Sequence, residues 1–426
     1  MAKKRDMIDD IIDIQRDWQA VSNPLGNIAG TLAQDPNEVK VFNPADYKSR
    51  PRSNSIFCAR VSSENHDVCS KCLDVCPVDA ITIEGASVKV SDDCRKCGLC
   101  TAVCPTEVFL VQKIMANSLY DQIGRIANAY EQCYVTCTRA MGRLHRMPKE
   151  NEVVLPCVGA ISRELWFSLL ADFGNVSVYL PLGICDKCRT TTGEEFLSEQ
   201  IAQAEEWAER GAGLEVEESE LDHELSRAFK RSQFMGSVAR AGQTLVAASN
   251  PALGGAAAIA KKLQEHSERV FDMQRALEQT AGEKTTANRR RILTQDRKAL
   301  LATLQQRPEL AQNFKLEVPT CDTSRCTMCG KCLDACPQHA CDLDRGGRFS
   351  VEAAYCVNCG ACAVACPENA LEMRPCDPAE LVIVDEEAER KKRAAEKQRA
   401  KLREGKAEAK KQLKRGLDAI ERLADE

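Results

Sequence analysis

The chain has 426 residues, with 58 Lys or Arg against 63 Asp or Glu, a net charge of −5. That length suits two to four domains, and the acidic balance excludes a dedicated nucleic-acid binder. Cysteine is over-represented at 24 residues while aromatics make up only 5%, which leaves a secreted disulfide scaffold or thiol ligation in a reducing compartment.

The N-terminus runs through Lys3, Lys4 and Arg5 directly into Asp9, Asp10 and Asp13. No apolar h-region or twin-arginine signal follows, so a cytoplasmic location is expected. Residues 1–22 carry Ile8, Ile11, Ile12, Trp18 and Val21 at helical spacing, predicting an amphipathic helix. The remainder of residues 1–55 is Pro-bearing and irregular.

Residues 56–112 hold the first cysteine block. Its second half is complete: Cys94-x2-Cys97-x2-Cys100-x3-Cys104-Pro105. Its first half, Cys69-x2-Cys72-x3-Cys76-Pro77, lacks the leading cysteine, and His66 stands at that spacing. Cys58 lies eleven residues before Cys69 and supplies a thiolate if the loop folds back, which costs little in closure entropy. Between the halves, Ile81–Glu84 and Val88–Val90 alternate as a short hairpin.

Residues 316–376 repeat the pattern without defect. They read Cys326-x2-Cys329-x2-Cys332-x3-Cys336-Pro337, then Cys356-x2-Cys359-x2-Cys362-x3-Cys366-Pro367. A second hairpin is expected at Cys341–Asp344 and Arg348–Val351. Two Cys-x2-Cys pairs can also bind zinc, but complete four-cysteine runs, each closed by proline, argue against it.

Both blocks resemble the bacterial-type 2[4Fe–4S] dicluster ferredoxins, in which the fourth cysteine of each run ligates the other cluster. The resemblance implies α+β domains of βαββαβ type and four [4Fe–4S] clusters. It assigns Cys58, Cys69, Cys72 and Cys104 to one cluster, with His66 as the alternative to Cys58. Cys58-Ala59-Arg60 is similar to an early Cys-x-Arg in multi-cluster ferredoxins with a displaced first ligand. Cys94, Cys97, Cys100 and Cys76 fall to a second cluster. Cys326, Cys329, Cys332 and Cys366 fall to a third, and Cys356, Cys359, Cys362 and Cys336 to a fourth.

Residues 113–192 form a small α/β unit between the blocks. Val153–Leu155 and Val176–Leu180 read as strands on either side of a helix over Ile161–Phe173, a βαβ unit with a parallel pair. Both strands deliver cysteines at their C-terminal ends, where open α/β sheets gather active groups. Cys133 and Cys137 sit upstream at one-turn helical spacing. Cys137-Thr-Arg139, Leu155-Pro-Cys157-Val-Gly159 and Gly183-x-Cys185-x2-Cys188 are similar to the iron–sulfur delta subunit of methyl-viologen-reducing hydrogenase. That resemblance implies a [2Fe–2S] cluster on Cys137, Cys157, Cys185 and Cys188. A zinc site or a redox-active dithiol at Cys185 and Cys188 remains the alternative. Cys133, Cys321, Cys341 and Cys376 read as structural, since a free cysteine packs as a small hydrophobe.

Residues 193–315 are helical in composition, broken near Gly211–Gly213 and Asn250-Pro251. Within them Ala241–Ala260 is uncharged but too Ala-rich to span a membrane, and reads as a helical hairpin. Arg289, Arg290 and Arg291 read as a solvated helix face. Residues 377–426 end in a charged helical or disordered tail.

There is no Gly-x-Gly-x-x-Gly, P-loop or His-Glu-x-x-His, so no catalytic site is expected. The chain reads as a component that passes electrons among redox proteins, such as dehydrogenase, hydrogenase or reductase subunits. It has no transmembrane span, and membrane contact would come through a partner. Two other roles fit the same residues: an accessory factor for maturing a partner oxidoreductase, and a redox sensor switched by the central thiols.

Overall fold

The computed structural model describes residues 47–65, 68–227, 266, 268–271, 273, 277, 291–344 and 346–383. The helix expected over 1–22, the hairpin at Ala241–Ala260 and the charged tail lie outside these residues, as does His66.

The first cysteine block folds as β1 (Arg52–Ser53), α1 (Ala59–Ser62), α2 (Lys71–Asp74), β2 (Ile81–Glu84), β3 (Ser87–Val90), α3 (Leu99–Val103) and β4 (Phe109–Leu110). β2 and β3 form the expected hairpin, Ile81 opposite Val90. Gly85 at the turn has φ +53°, a conformation open to glycine without cost. β1 pairs antiparallel with β4, Arg52 opposite Leu110. The chain thus closes on itself around a small core of Ile81, Val88, Val108 and Phe109, into which Cys58, Cys72 and Cys100 are packed.

The middle unit comprises α4 (Ala116–Ala129), β5 (Cys133–Cys137), α5 (Thr138–Leu144), β6 (Glu152–Leu155), α6 (Arg163–Asp172), β7 (Val176–Tyr179), α7 (Gly193–Ala208) and β8 (Gly213–Glu215). Its four strands make one parallel sheet in the order β6-β5-β7-β8. Two expectations are corrected here. Cys133–Cys137 is a strand, not a helical turn, and it separates the two strands expected to pair. Every residue of β5, β6 and β7 is buried. Strands covered on both faces carry no polar alternation, so spacing alone did not separate strand from helix at two cysteines four residues apart. The break expected near Gly211–Gly213 falls between the end of α7 at Ala208 and β8.

α6 is capped by Ser162, whose hydroxyl accepts from the Leu165 N–H. Trp166 and Phe167 from this helix are fully buried. Phe167 meets Phe314 edge-on at 5.0 Å, and Trp207 of α7 stacks on Phe314 at 4.4 Å. On the opposite side Tyr120 of α4 stacks on His266 at 3.9 Å and donates to Asp172 at 2.7 Å. Burial, then the charge of Arg269, lower the His266 pKa to about 3.

A histidine held neutral in this way stabilises the fold above its unfolded pKa of about 6.5, and that stabilisation is lost as pH falls through and below it. His266→Phe keeps the stacked ring and removes the titration. Its advantage over the parent in anaerobic urea unfolding is expected to grow by about 1.4 kcal/mol per pH unit below about pH 6. A constant difference between pH 7 and pH 5 would refute this.

The chain returns in α8 (Gln295–Gln306), capped by Thr294, whose hydroxyl accepts from the Arg297 N–H. Residues 297–304 of this helix are all buried, and it packs on α6 and α4. Its Arg297 is 1% exposed, facing Glu164 at 3.6 Å and donating to the Cys356 carbonyl at 3.0 Å. The Asp296 N–H donates to Glu107 at 2.9 Å, and Ser162 donates to Asp296 at 2.8 Å. Burial pushes the carboxyls of both Glu107 and Asp296 up. Arg291 departs from the solvated face expected of it: its buried side chain pairs with Asp342 and Glu352 and lies over the Tyr355 ring at 5.7 Å. Charge runs read as solvated unless a tertiary partner covers them, and here the strand that holds Asp342 and the segment before Tyr355 do.

The second block repeats the element order of the first without a counterpart of α1: β9 (Glu317–Cys321), α9 (Lys331–Asp334), β10 (Cys341–Leu343), β11 (Phe349–Val351), α10 (Ala361–Val364) and β12 (Leu371–Pro375). β9 pairs antiparallel with β12 and β10 with β11. No helix among the described residues is long and apolar enough to cross a membrane.

Candidate iron–sulfur sites

All 24 cysteines are free of disulfides. The turns that carry them are built alike. After each Cys-Pro, the residue three beyond the cysteine is left-handed: Asp79, Glu107, His339 and Asn369 have φ between 45° and 52°. This bend aims the next backbone N–H back at the thiol. Ala80 donates to Cys76, Ala340 to Cys336 and Ala370 to Cys366 at 3.3 Å, and Val108 to Cys104 at 3.4 Å. At the other end of three runs, Lys96, Met328 and Asn358 are left-handed as well. Lys96 and Met328 donate to Cys94 and Cys326 at 3.4 Å. Glycines follow the second cysteine in these runs, Gly98, Gly330 and Gly360 at φ between 74° and 85°. In the run without a leading cysteine, Ser70 takes that place with φ −121°, so the departure from the repeat is in the backbone too.

The thiols gather in sets that cross between runs. Cys72 is pushed up to about 12 by burial, then by Cys104, Cys69 and Cys58. Cys58, buried at the N-cap of α1, therefore faces the same space as Cys69, Cys72 and Cys104. Cys100 is raised by burial, then by Cys97 and Cys94, with Cys72 and Cys76 also felt. In the second block burial, then Cys362 and, less strongly, Cys329 and Cys366, push Cys332 up to about 12. Cys359 is raised to about 12 by burial, with Cys336, Cys362 and Cys356 adding to it. Such buried, crowded thiols resist ionising alone, and a multivalent cation at their centre offsets both penalties. The donor chemistry and the N–H···S bonds fit an iron–sulfur cluster in each of the four sets.

The middle unit gathers four more. Cys137 ends β5 and accepts from the Ala140 N–H at 3.4 Å. Cys157 follows β6, and Cys185 and Cys188 lie in the loop after β7, where Thr190 donates to Cys188 at 3.5 Å. Cys137, Cys157, Cys185 and Cys188 line one small cavity with Arg139, Leu180 and Ile184. It sits off the C-terminal ends of β5, β6 and β7, where strand order reverses about β5. Arg139 donates to the Ile184 carbonyl at 3.0 Å, tying the Cys137 helix to the Cys185 loop. Burial, then the charges of Cys97, Cys137 and Cys188, push Cys157 up to about 12. Cys133 is apart from this group, fully buried with its thiol toward the Ile123 carbonyl.

Among the described residues, no three Cys, His, Asp or Glu side chains form a group that could hold a single metal ion. In a [4Fe–4S] cubane each thiolate binds a different iron, so its four sulfurs need not converge on one metal.

One residue read as plain packing does more. The Cys341 thiol lies within hydrogen-bonding reach of Cys336 and of Cys362, and this contact is the largest cause lowering each of them, Cys336 to about 6. Ile81 and Leu371 hold the same place in sister runs, and the aliphatic residues there gave the spacing its hydrophobic reading. Cys321 lies beside Cys326 and Cys366, and Cys376 is buried next to the Asp377 carbonyl.

Residues 67–113 and residues 325–371 each match the family described as 4Fe-4S dicluster domain. A 46-residue stretch is 44% identical to an uncharacterized ferredoxin of Methanocaldococcus jannaschii, spanning 74% of that protein and 10% of this chain. A 47-residue stretch is 38% identical to a ferredoxin of Methanothermococcus thermolithotrophicus, spanning 78% of it and 11% of this chain. No solved structure matches the chain at comparable significance. Two dicluster domains indicate four [4Fe–4S] clusters. The chain belongs to the 4Fe-4S dicluster ferredoxins and is an iron–sulfur, ferredoxin-like electron carrier with two such domains.

Proposed function

We propose that this protein is a stationary relay, a subunit that takes electrons from one redox protein and passes them to another, with hydrogenase, dehydrogenase or reductase subunits as partners. The observation that carries this is the crossing of thiols between runs, Cys104 with Cys72 and Cys76 with Cys100, which ties two clusters into each domain. Site I is Cys58, Cys69, Cys72 and Cys104, and site II is Cys76, Cys94, Cys97 and Cys100. Site III is Cys336, Cys356, Cys359 and Cys362, and site IV is Cys326, Cys329, Cys332 and Cys366. Each cluster, when bound, accepts and returns one electron. The protein's part is to bury the sulfurs, direct N–H groups at them and so set their potentials.

The central set, Cys137, Cys157, Cys185 and Cys188, holds a fifth group, a [2Fe–2S] cluster as in the hydrogenase delta subunit it resembles. Support comes from its four thiols around one cavity and from N–H···S bonds of the ferredoxin kind. The working units are residues 56–112, 113–192 and 316–376. Unpaired thiols throughout suit a reducing compartment, and we place the protein in the cytoplasm.

Anaerobic purification with iron and sulfide analysis tests this. About 18 Fe per chain is expected, about 16 from four cubanes and two from the central set. Cys185→Ser with Cys188→Ser should lower the count by about two and remove one EPR signal. Colourless protein carrying zinc in place of acid-labile sulfide would refute the relay.

A further inference from the structure

The thiol sets are not scattered over the surface, because each inter-unit seam joins one specific pair. At the first seam Cys157 of the central set and Cys97 of site II pack against one small core of Val75, Leu99 and Phe196. The backbones there are as close as side chains permit: a Cβ on Gly159 would stand 2.7 Å from Leu99, and one on Gly98 would stand 2.9 Å from Ala160. Thr192 donates to the Val75 carbonyl at 2.6 Å, one residue before Cys76 of site II. Within the first domain sites II and I then share a wall, since α2, which carries Cys72, packs on α3, which carries Cys100.

The second seam engages the other half of that domain. α1, which begins at Cys58 of site I, lies against α10, which carries Cys362 of site III. Ser62 of α1 donates to the Ala335 carbonyl at 2.9 Å, next to Cys336 of site III. A second bridge runs through α8: Glu107, three residues past Cys104, accepts from the Asp296 N–H, and the adjoining Arg297 holds the Cys356 carbonyl. Site IV follows behind site III, α9 with Cys332 packing on α10 with Cys362. Its Cys329 is exposed and Met328 is 60% exposed.

We infer that the five thiol sets form one unbranched row, central–II–I–III–IV, in which the two ferredoxin domains face each other through sites I and III. This rests on the relay reading above and adds its order and its two ends. The central set, off the parallel sheet, is one terminus, and the exposed Cys329 loop is the other. An electron entering at either end meets all four cubanes in turn, and no site can be bypassed.

Iron-edge anomalous difference maps from crystals of the anaerobic holoprotein test the row directly. The result expected is iron at all five sets, with I and III the nearest pair between domains and the central peak nearest II. Any other nearest inter-domain pair overturns the row while leaving the relay standing. Absence of iron from the dicluster sites overturns the relay itself, and a zinc-edge peak at the central set overturns its place as a terminus.

Solution EPR gives a second readout. A chain stripped of sites II and IV (Cys94→Ser, Cys97→Ser, Cys326→Ser, Cys329→Ser) keeps the facing pair, so its reduced spectrum should be broadened by spin–spin interaction. The complementary chain, keeping only II and IV, should show the narrow signals of isolated clusters when both chains also carry Cys185→Ser and Cys188→Ser, which removes the central neighbour of II. The reverse pattern overturns the row, and if either chain fails to load iron the anomalous map on the intact protein decides.

Discussion

Cys58→Ala is expected to abolish one of the four cubane EPR signals and lower iron by about 4 per chain, while His66→Ala leaves both unchanged. Cys58 is buried at the start of α1 and its thiol shares the pocket of Cys69, Cys72 and Cys104. The run it would complete has neither a leading cysteine nor the glycine that follows the second cysteine elsewhere. An external thiol is therefore what closes the set. Because α1 also lies against α10, loss of site I would cut communication between the two domains, and reduction of sites III and IV from the central end should slow by orders of magnitude. A wild-type iron count in Cys58→Ala, with loss in His66→Ala, would exchange the two roles.

The largest stability effect is expected at Arg297. Arg297→Met should cost about 3–5 kcal/mol, because it leaves Glu164 and Asp296 without their cation and the Cys356 carbonyl without its donor. The measurement is the urea midpoint of the anaerobic holoprotein, followed by cluster absorbance and by circular dichroism. Adding Glu164→Gln to the same chain should return part of the loss, since one uncompensated charge is then gone. A midpoint within about 0.5 kcal/mol of the parent, the range of ordinary surface changes, would show that the guanidinium contributes nothing net.

The cysteine runs were legible in the sequence because their constraint is local. Three thiols and a proline at fixed spacing specify a turn, and the left-handed residues after Cys76, Cys104, Cys336 and Cys366 follow from that turn. The hairpin at Ile81–Glu84 was legible for the same reason, having one face buried and one open. β5 was not, since two cysteines four residues apart fit one helical turn as well as a buried strand. Arg291, Arg297 and Glu107 were not, because each owes its role to a residue 50 or more positions away. Cys341 was hidden by its own position, where aliphatic residues in sister runs make a thiol look like filler.

α8 has one more consequence. It belongs in sequence to the long connection between the ferredoxin domains, yet its sides are taken up by the middle unit and by the loops beside Cys104 and Cys356. The chain therefore cannot be divided into interchangeable modules. A fragment ending before Gln295 would uncover the apolar flank of α6, and a fragment beginning after Gln306 would lose the strap that holds the Cys356 turn. Any shuffling of this gene by recombination would have to carry the linker along with both domains, so the spacing of the two cysteine blocks is inherited as a unit.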